Sequence, residues 1–478
     1  MADPIERKSG VIILIYVSMK NSCFFRFSLF LCFCWFAPTL SGFAQIVVST
    51  LAGNDANGSL IAAIKAANAQ KTDAGKPVTI SFAKNLSGEI VLSMDLPAIE
   101  NHISFAGNLS NGNPTITING SVDPSVNNGI MGGISPGFSL FVVKQGRTVA
   151  FENLHLTKSN KSGIYNDGGT VTVKNCLFTY NVGIGSEQGA AGAIHSENGL
   201  LTVIGSYFFY NTGGVGGTDG GVGYGGAGGI TIVKGNAVVI NSSFIENEGG
   251  FGGVGVGSVA GAGAIMVQDG NFSLSNSTVA GNFGGGSIVT GASGGIVIIK
   301  GNMLIAQSTI VDNQGGAGLG GFDGISFCSG GIHVLSGKLS ISGNIIAGNL
   351  NGEDEATDIE AQQSGEVHST GNNLLGKAKV QIEGKADVNN IVLSNIIATT
   401  SEGTYKTEVL SGFLPTISLT ANSPAKNQGA TVTHFNPVES SDANAGFFTD
   451  AWKKYGTLLQ ADQNGKKRTE KPSIGSIE

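Results

Sequence analysis

The stretch ITIVKGNAVVINSSFIEN, residues 230–247, contains the pattern that decides the fold. It starts with an isoleucine, has a glycine at Gly235 and apolar residues at Val239 and Phe244, and ends at Asn247. The pattern occurs six times, at intervals of 30 to 36 residues. The six terminal asparagines are Asn181, Asn211, Asn247, Asn282, Asn313 and Asn349. A fixed order of residue types at such intervals is typical of a solenoid built from one repeated unit.

The columns of this repeat indicate which residues face inward. Seventeen positions before each terminal asparagine stands an isoleucine: Ile164, Ile194, Ile230, Ile265, Ile296 and Ile332. A glycine stands twelve before it, and apolar residues stand eight and three before it. Residue types suited to a left-handed bend stand six before it: Asn175, Gly205, Asn241, Asn276, Gln307 and Gly343. Alternating apolar residues on either side of that bend predict three short strands in each unit.

One unit cannot bury its apolar columns alone, whereas units stacked about 4.8 Å apart form parallel sheets with like residue over like residue. The sequence therefore predicts an all-β fold, a right-handed parallel β-helix, or solenoid. Residues 146–159 resemble a seventh, shorter unit. Residues 58–69, with Ser59 as the cap, predict an amphipathic N-terminal capping helix that covers the open end of the stack.

Glycine makes up 75 of the 478 residues and is concentrated between each terminal asparagine and the next isoleucine. The segment 212–229, for example, has 11 glycines in 18 residues. Because these insertions fall at the same point of every unit, we expect glycine-rich loops along one edge of the solenoid. Such loops are either mobile or packed on one another. The sequence leaves both possibilities open.

Four regions follow from these patterns. They are the signal peptide region 1–44, the N-terminal cap and first coils 45–145, the regular repeats 146–349, and the irregular C-terminal coils and tail 350–478. The first region has the basic start, apolar run and small residues of a secretory signal, with Met1 and Met19 both open as its start. Strands are expected near Val367 and Val380. Because residues 1–44 have the features of a secretory signal, the protein is expected to be exported.

Charged residues are 13% of the chain, with 34 acids, 27 bases and a formal net charge of −7. This composition contains no basic footprint for nucleic acid, and its 41% hydrophobic content argues against disorder. After residue 44 only Cys176 and Cys328 remain, either as buried thiols or as one disulfide. We predict no cofactor and no metal. His195 and His333 share one outward column but are separated by uncharged residues, which favours ordinary surface histidines.

Several motifs resemble those of bacterial surface proteins with chlamydial-type polymorphic outer-membrane-protein repeats. Residues Ala191-Gly192-Ala193-Ile194 approximate the family's Gly-Gly-Ala-Ile motif, and Phe178 to Asn181 match its Phe-x-x-Asn motif. The segments 371–376 and 462–465 are similar to the domain that precedes a variable surface anchor, so the C-terminal region resembles a choice-of-anchor region. The resemblance covers nearly all of the chain after residue 44. It implies a parallel β-helix at the bacterial cell surface or outer membrane.

Parallel β-helices include polysaccharide lyases and hydrolases, so catalysis has to be argued from residues. Lyases often use arginine or lysine as the base, and Arg147 and Arg468 are the two arginines after residue 44. Hydrolases need two carboxylates about 5–10 Å apart. Glu246 and Asp312 share the column before the terminal asparagine but are two units apart, with Gly281 between them. The sequence favours a protein without catalysis, and a polysaccharide lyase or glycoside hydrolase is the alternative.

The most suggestive outward residues are aromatic, and they belong to two neighbouring units. They are Tyr180, Tyr207, Phe209 and Tyr210. Exposed aromatic side chains often mark a contact with a protein or a sugar, unless other segments cover them. We therefore expect a secreted or cell-surface protein with an adhesion-type or ligand-binding role. Its partner would be a surface protein or glycan of a host or neighbouring cell, and peripheral association with an outer membrane is compatible with this. A structural envelope component is the second alternative.

Overall fold

In the computed structural model the repeats wind into a parallel β-helix whose three faces are parallel sheets. The structure describes residues 45–122, 138–185, 188–217, 223–255, 257–287, 291–318, 326–362, 364–382, 384–385, 387–398, 407–408, 414–429, 445–469 and 472–477. The predicted signal peptide region, residues 1–44, lies outside these ranges. The three parallel sheets agree with the all-β, parallel β-helix fold that the sequence predicts.

Each regular coil passes through a strand of sheet C, then of sheet A, then of sheet B. Sheet A consists of Gln45–Val48, Val78–Phe82, Ile103–Ala106, Thr148–Glu152, Thr170–Lys174, Gly199–Ile204, Gly235–Ile240, Asn271–Ser275, Asn302–Ala306, Lys338–Ser342 and Glu366–Gly371. Sheet B consists of Gly88–Val91, Ile116–Asn119, Leu154–Thr157, Leu177–Thr179, Tyr207–Phe209, Ser243–Ile245, Thr278–Ala280, Thr309–Val311, Ile345–Ala347 and Leu374–Leu375. Sheet C consists of Phe141–Val143, Ile164–Asp167, Ile194–Glu197, Ile230–Ile232, Ile265–Val267, Ile296–Ile298, Ile332–Val334 and Ile359–Ala361.

The predicted columns stack in register inside the coils. Ile194, Ile230 and Ile265 pair directly with one another at the start of their sheet C strands, and all three are fully buried. In sheet B the rings of Phe208 and Phe244 stack with centroids 4.4 Å apart. Like side chains thus fill the interior layer by layer, which buries the apolar area that a single unit would expose.

Two columns of left-handed residues turn the chain at its corners. The predicted column, six before the terminal asparagine, has φ between 49° and 66° in all six units. A second column, directly before the asparagine, has φ between 51° and 71° and was not predicted. Its members are Tyr180, Tyr210, Glu246, Gly281, Asp312 and Gly348. Four of the six have a Cβ, so packing of the coils holds them in a conformation that costs about 1 kcal/mol each.

The terminal asparagines form a buried ladder. In each unit the side-chain amide donates to the Oδ1 of the next asparagine, for example from Asn211 to Asn247 at 2.9 Å and from Asn247 to Asn282 at 2.9 Å. The backbone amides of these residues donate to the same oxygens. The ladder ends where Asn349 donates to Asp358 at 2.7 Å. It ties neighbouring coils together at the corner after sheet B.

Both further predictions for the N-terminal half are confirmed. In the seventh unit, Val149 pairs with Val171. The predicted helix spans Leu60–Asn68, and the Ser59 hydroxyl accepts a hydrogen bond from the Ala62 amide at 3.1 Å. Its buried residues belong to the core cluster that also contains the first strands of sheets A and B.

The glycine-rich loops pack on one another wherever the structure describes them. The amides of Gly214, Gly226 and Gly250 donate in sequence to the carbonyls of Ala190, Gly214 and Gly226, each at 2.8 Å. The outgoing limb of one loop thus bonds to its returning limb and to the next loop. Beneath the limbs, Met266 of sheet C packs with loop alanines in a small second core. Of the two possibilities that the sequence leaves open, the structure has the packed one.

The C-terminal region folds back onto the coils, which the sequence does not predict. The helix Ala445–Tyr455 and the 3-10 turn Gly456–Gln460 pack against Val238 and Ile240 on the outer face of sheet A. A second 3-10 turn spans Leu393–Asn395. Three short antiparallel pairs complete the described strands: Leu109–Ser110 with Asn113–Pro114, Ala317–Gly318 with Ser326–Phe327, and Thr407–Glu408 with Thr416–Ile417. The strand expected near Val367 is present, whereas Val380 lies outside any strand.

The expectation that His195 and His333 are surface residues is wrong. Their side chains are 1% and 0% exposed, because the glycine-rich layer covers the outer face of sheet C. Cys176 and Cys328 are both buried free thiols, so of the two alternatives the unpaired one holds. Within the described ranges no helix is long and apolar enough to cross a membrane.

Candidate functional site

The candidate site lies along the corner where sheet B ends and the glycine-rich loops begin. On either side of the buried asparagine ladder, one residue per coil forms a column. The column before the ladder contains the left-handed residues given above. The column after it contains Val182, Thr212, Glu248, Phe283, Gln314 and Leu350, which pair from coil to coil as isolated bridges. Two parallel tracks of side chains therefore run along the axis, at about 4.8 Å per coil.

The four aromatic residues predicted from sequence form one cluster at the start of these tracks. Tyr180 stacks on Tyr210 with ring centroids 5.5 Å apart, and Phe209 contacts Tyr210 at 4.1 Å and Tyr207 at 5.5 Å. Tyr180 and Tyr210 are 36% and 44% exposed. Tyr207 and Phe209 are half-buried against apolar residues of the C-terminal region, such as Ile417. The C-terminal region thus covers two of the four rings and leaves two open.

Beside this cluster is an open cavity of about 710 Å³. Tyr207, Phe209 and Tyr210 line one end of it, and Phe283, which is 49% exposed, lies further along the axis. The remaining polar lining includes the carboxylates of Glu246 and Asp312 and the amide of Gln314. The C-terminal region contributes Pro415 to its rim. The volume lies in the range that is typical of sites for small organic ligands.

Glu246 and Asp312 lie in the same cavity although they belong to alternate coils. Gly281 stands between them in the column, so no side chain separates the two carboxylates. The coil spacing places their Cα atoms roughly 10 Å apart. The Tyr210 hydroxyl donates a hydrogen bond to Glu246, which raises the pKa of Tyr210 to about 12. Partial burial raises the pKa of Asp312 from 3.8 to about 6.

The sequence predicts the aromatic half of this candidate site and does not predict the acidic half. Glu246 and Asp312 are two units apart in the sequence, which argues against a shared site, but the intervening Gly281 leaves the space between them open. The signal that could have identified the corner is the mixture of tyrosine, acid and glycine in one column, which is unusual for an inward position. Pro415 could not have been predicted, since it reaches the cavity only by the fold of the C-terminal region.

A second polar cluster lies at the covered face of sheet C. His195 accepts a hydrogen bond from the Ala191 amide at Nδ1, so its Nε2–H donates to Glu197 at 3.1 Å. The Tyr165 hydroxyl donates to the same carboxylate at 2.9 Å, and its ring stacks on His195 at 4.8 Å. These contacts lower the pKa of Glu197, the His195 bond foremost. The three side chains thus provide hydrogen-bond and stacking partners for one another beneath the glycine-rich loops.

Among the described residues, no three or more His, Cys, Asp or Glu side chains are placed to bind one metal ion. No protein-family model matches the chain, and no curated protein shows significant similarity to it. The molecule is defined at this point by its class, a parallel β-helix with a glycine-rich layer on one face. Among the described residues, the corner cavity is the feature that best indicates a function.

Proposed function

We propose that the protein is a cell-surface, adhesion-type binding protein whose ligand is a glycan held in the corner cavity. The observation that carries this proposal is the exposed pair of tyrosines, Tyr180 and Tyr210, beside a cavity with carboxylate and amide groups. Aromatic faces pack against the apolar faces of sugar rings, while polar groups accept bonds from sugar hydroxyls. The cavity offers both within a short distance.

The linear arrangement of the site supports a chain-like ligand. The aromatic, acidic and amide side chains follow one another along the axis, one coil at a time, from Tyr180 to Gln314. Extended polysaccharides advance by a distance similar to one coil for each sugar. A short stretch of such a chain could therefore contact successive coils with successive sugars.

The surface location in this proposal rests on the sequence. Residues 1–44 have the features of an export signal, and the repeats resemble those of polymorphic outer-membrane proteins. In this proposal the protein is secreted or held at the cell surface, without catalysis. A surface protein as partner and a structural role without any ligand are the outcomes that the test below separates from glycan binding.

The test is a glycan array with the purified protein, followed by titration calorimetry on the best ligands. We expect Tyr210→Ala to weaken binding about tenfold, because an aromatic contact contributes about 1–1.5 kcal/mol. Leu200→Ala is the matched control, since Leu200 is 38% exposed but lies on sheet A. Absence of any glycan ligand, or equal loss in both variants, would refute the proposal. Capture of a surface protein by Tyr210-dependent contacts would also refute the glycan assignment.

The carboxylate pair favours glycoside hydrolysis as a second candidate function. Inverting hydrolases have two carboxyl groups about 6.5–9.5 Å apart, one acting as acid and one as base. Asp312, with its raised pKa, would protonate the leaving oxygen, and Glu246 would activate water. Release of new reducing ends by the protein, lost in Asp312→Asn and in Glu246→Gln while glycan binding persists, would establish this function. Binding without any release of reducing ends would exclude it for the ligands tested.

A further inference from the structure

The corner cavity has an unbalanced charge. Glu246 and Asp312 both line it, and none of the described residues that line it is basic. Gln314, also in the lining, donates to Asp354 at 2.9 Å, which places a third carboxylate next to the cavity. Nearby, Glu248 occupies the outward track beside Glu246. A ligand with negative charge would be repelled from this corner, whereas a cation would be attracted.

We propose that the corner cavity selects glycans that carry protonated amino groups, over neutral and acidic glycans of the same backbone. This inference rests on the proposed glycan binding and names the class of sugar that the site recognises. Two kinds of group in the cavity favour an ammonium ion. Carboxylates attract its charge, and the aromatic residues Tyr207, Phe209, Tyr210 and Phe283 line the cavity, as aromatic residues do in sites that bind organic cations.

The spacing of the two acids fits a polymer of amino sugars. Glu246 and Asp312 are two coils apart, roughly 10 Å along the axis. In an extended β-1,4-linked chain successive sugars are turned over, so amino groups on one side recur at every second sugar. Two amino groups on that side would then reach the two carboxylates. Phe283, in the coil between them, would face the sugar that joins them.

The base in the left-handed corner column lies far from the acids. Lys158 adopts the same left-handed φ as the column, at 55°, in the coil before that of Tyr180. It is three coils from Glu246, about 14 Å along the axis, with Tyr180 and Tyr210 between them. It therefore does not neutralise the cavity. Its position predicts that cationic ligands extend from the tyrosines toward Asp312, and not toward Lys158.

The test compares hexasaccharides that share one β-1,4-linked backbone and differ only in charge. We would titrate the whole protein with a glucosamine hexamer, its fully N-acetylated form and a fully N-trimethylated form whose charge does not depend on pH, with a β-1,4-linked glucuronate hexamer as the acidic ligand. At pH 7 we expect the trimethylated form to bind about tenfold more tightly than the N-acetylated form, and its affinity to fall as salt rises. We expect the glucuronate hexamer to bind most weakly.

Two substitutions assign that preference to the cavity. Glu246→Gln and Asp312→Asn should each reduce the preference for the trimethylated hexamer over the N-acetylated hexamer about threefold to fivefold. Asp269→Asn is the control, because Asp269 is an acid at the corner between sheets C and A. Equal affinity for charged and N-acetylated forms would overturn the selectivity while leaving glycan binding intact. If no hexamer and no glycan on the array binds, the proposed function fails together with the inference.

Discussion

The coils and the glycine-rich layer order the chain by opposite means. Inside the coils, side chains such as Ile230 and Phe244 stack on like side chains and are fully buried. In the layer outside sheet C, backbone packs directly on backbone: a Cβ on Gly226 would lie 1.9 Å from the Ala190 carbonyl oxygen. The coils are stabilised mainly by apolar burial, and the layer mainly by amide hydrogen bonds that only glycine allows to form so closely.

This difference teaches that high glycine content does not by itself indicate mobile loops. Glycine loses more conformational entropy on folding than other residues, so an ordered glycine-rich layer needs many compensating bonds. Here these hydrogen bonds join the outgoing and returning limbs of the loops in alternation. Their N···O distances are 2.7 to 2.9 Å in the series of bonds from Gly214 to Gly285, and again at Gly316. The coils provide the template, because each loop starts and ends one coil further along. The layer therefore depends on the coils for its order.

The largest effect should come from adding one methyl group inside the layer. Gly226→Ala places a Cβ within 2.4 Å of the Ala190 carbonyl carbon and oxygen, at a position without positive φ, so the cost is purely steric. We expect the free energy of unfolding to fall by about 3 kcal/mol or more. Chemical denaturation monitored by circular dichroism would measure it.

Gly446→Ala is the control, since nothing lies within 4 Å of its added Cβ and it belongs to the C-terminal helix. That substitution should be neutral or stabilise by up to about 1 kcal/mol. Equal tolerance of both substitutions would mean that the glycine layer is not packed as described.

A smaller loss is expected where a polar side chain links the coils. Asn247→Ala removes the amide that donates to Asn282 and Phe208 and the oxygen that accepts from Asn211, all buried. We expect a loss of about 2–3 kcal/mol in the free energy of unfolding, because buried partners lose their bonds. Asn271→Ala is the comparison on the half-buried ladder of sheet A, where Asn271 donates to Asn236 at 2.8 Å.

For Asn271→Ala we expect less than about 1 kcal/mol, since water can replace the lost partner. Thermal unfolding of both variants would measure the difference. If the two variants lost the same stability, burial of the corner ladder would not be what makes it strong.

One buried thiol lies in the coils and the other in the glycine-rich layer, so the reactivity of each measures the opening of one region. Cys176 belongs to the core of the coils, where burial raises its pKa to about 12. Cys328 lies in a loop limb, donates to the Gly291 carbonyl at 2.9 Å, and has a pKa that is likewise raised by burial. In a chain with Cys23, Cys32 and Cys34 replaced by serine, we expect a thiol reagent at pH 8 to modify Cys328 about tenfold faster than it modifies Cys176.

We expect this difference because loop limbs open locally at a lower free energy than stacked coils. Peptide mass spectrometry after timed labelling would give both rates, and labelling in denaturant gives the reference rate for each thiol. Equal protection of the two thiols would show that layer and coils open as one cooperative unit.

The sequence predicts most of what depends on periodicity and little of what depends on distant segments. Three predicted features follow from local residue types, and the structure confirms them. They are the isoleucine column, the column of left-handed residues that starts at Asn175 and ends at Gly343, and the helix capped by Ser59. The burial of His195 could not be predicted, because an outward position says nothing of a layer that folds over it. The docking of residues 445–460 on sheet A also joins segments some 200 positions apart.

The candidate site divides in the same way. Its aromatic half was predicted, because outward tyrosines in neighbouring repeats are visible in the sequence. Its acidic half was not, because stacking brings Glu246 and Asp312 into one cavity only when Gly281 leaves the space between them. A column in a solenoid has to be analysed across several coils, including the positions where a side chain is missing.

The smallest expected effect is a change in the free energy of unfolding with pH. Its sign differs between the corner cavity and the covered face of sheet C. Partial burial raises the pKa of Asp312 to about 6, from 3.8, so the folded state holds more protons than the unfolded state between about pH 4 and 6. Asp312 therefore makes the free energy of unfolding fall as pH rises through that window. Glu197 has a lowered pKa, so its contribution is present above its ordinary value of 4.5 and is lost as pH falls.

Asp312→Asn should thus gain stability relative to wild type on going from pH 4 to pH 7, by less than about 1 kcal/mol because the side chain is partly exposed. Glu197→Gln should lose stability relative to wild type over the same rise. Denaturant midpoints at half-unit pH steps would measure both differences. If the two variants shift in the same direction, the corner carboxylate is not desolvated, and the conclusion that Asp312 has a raised pKa is wrong.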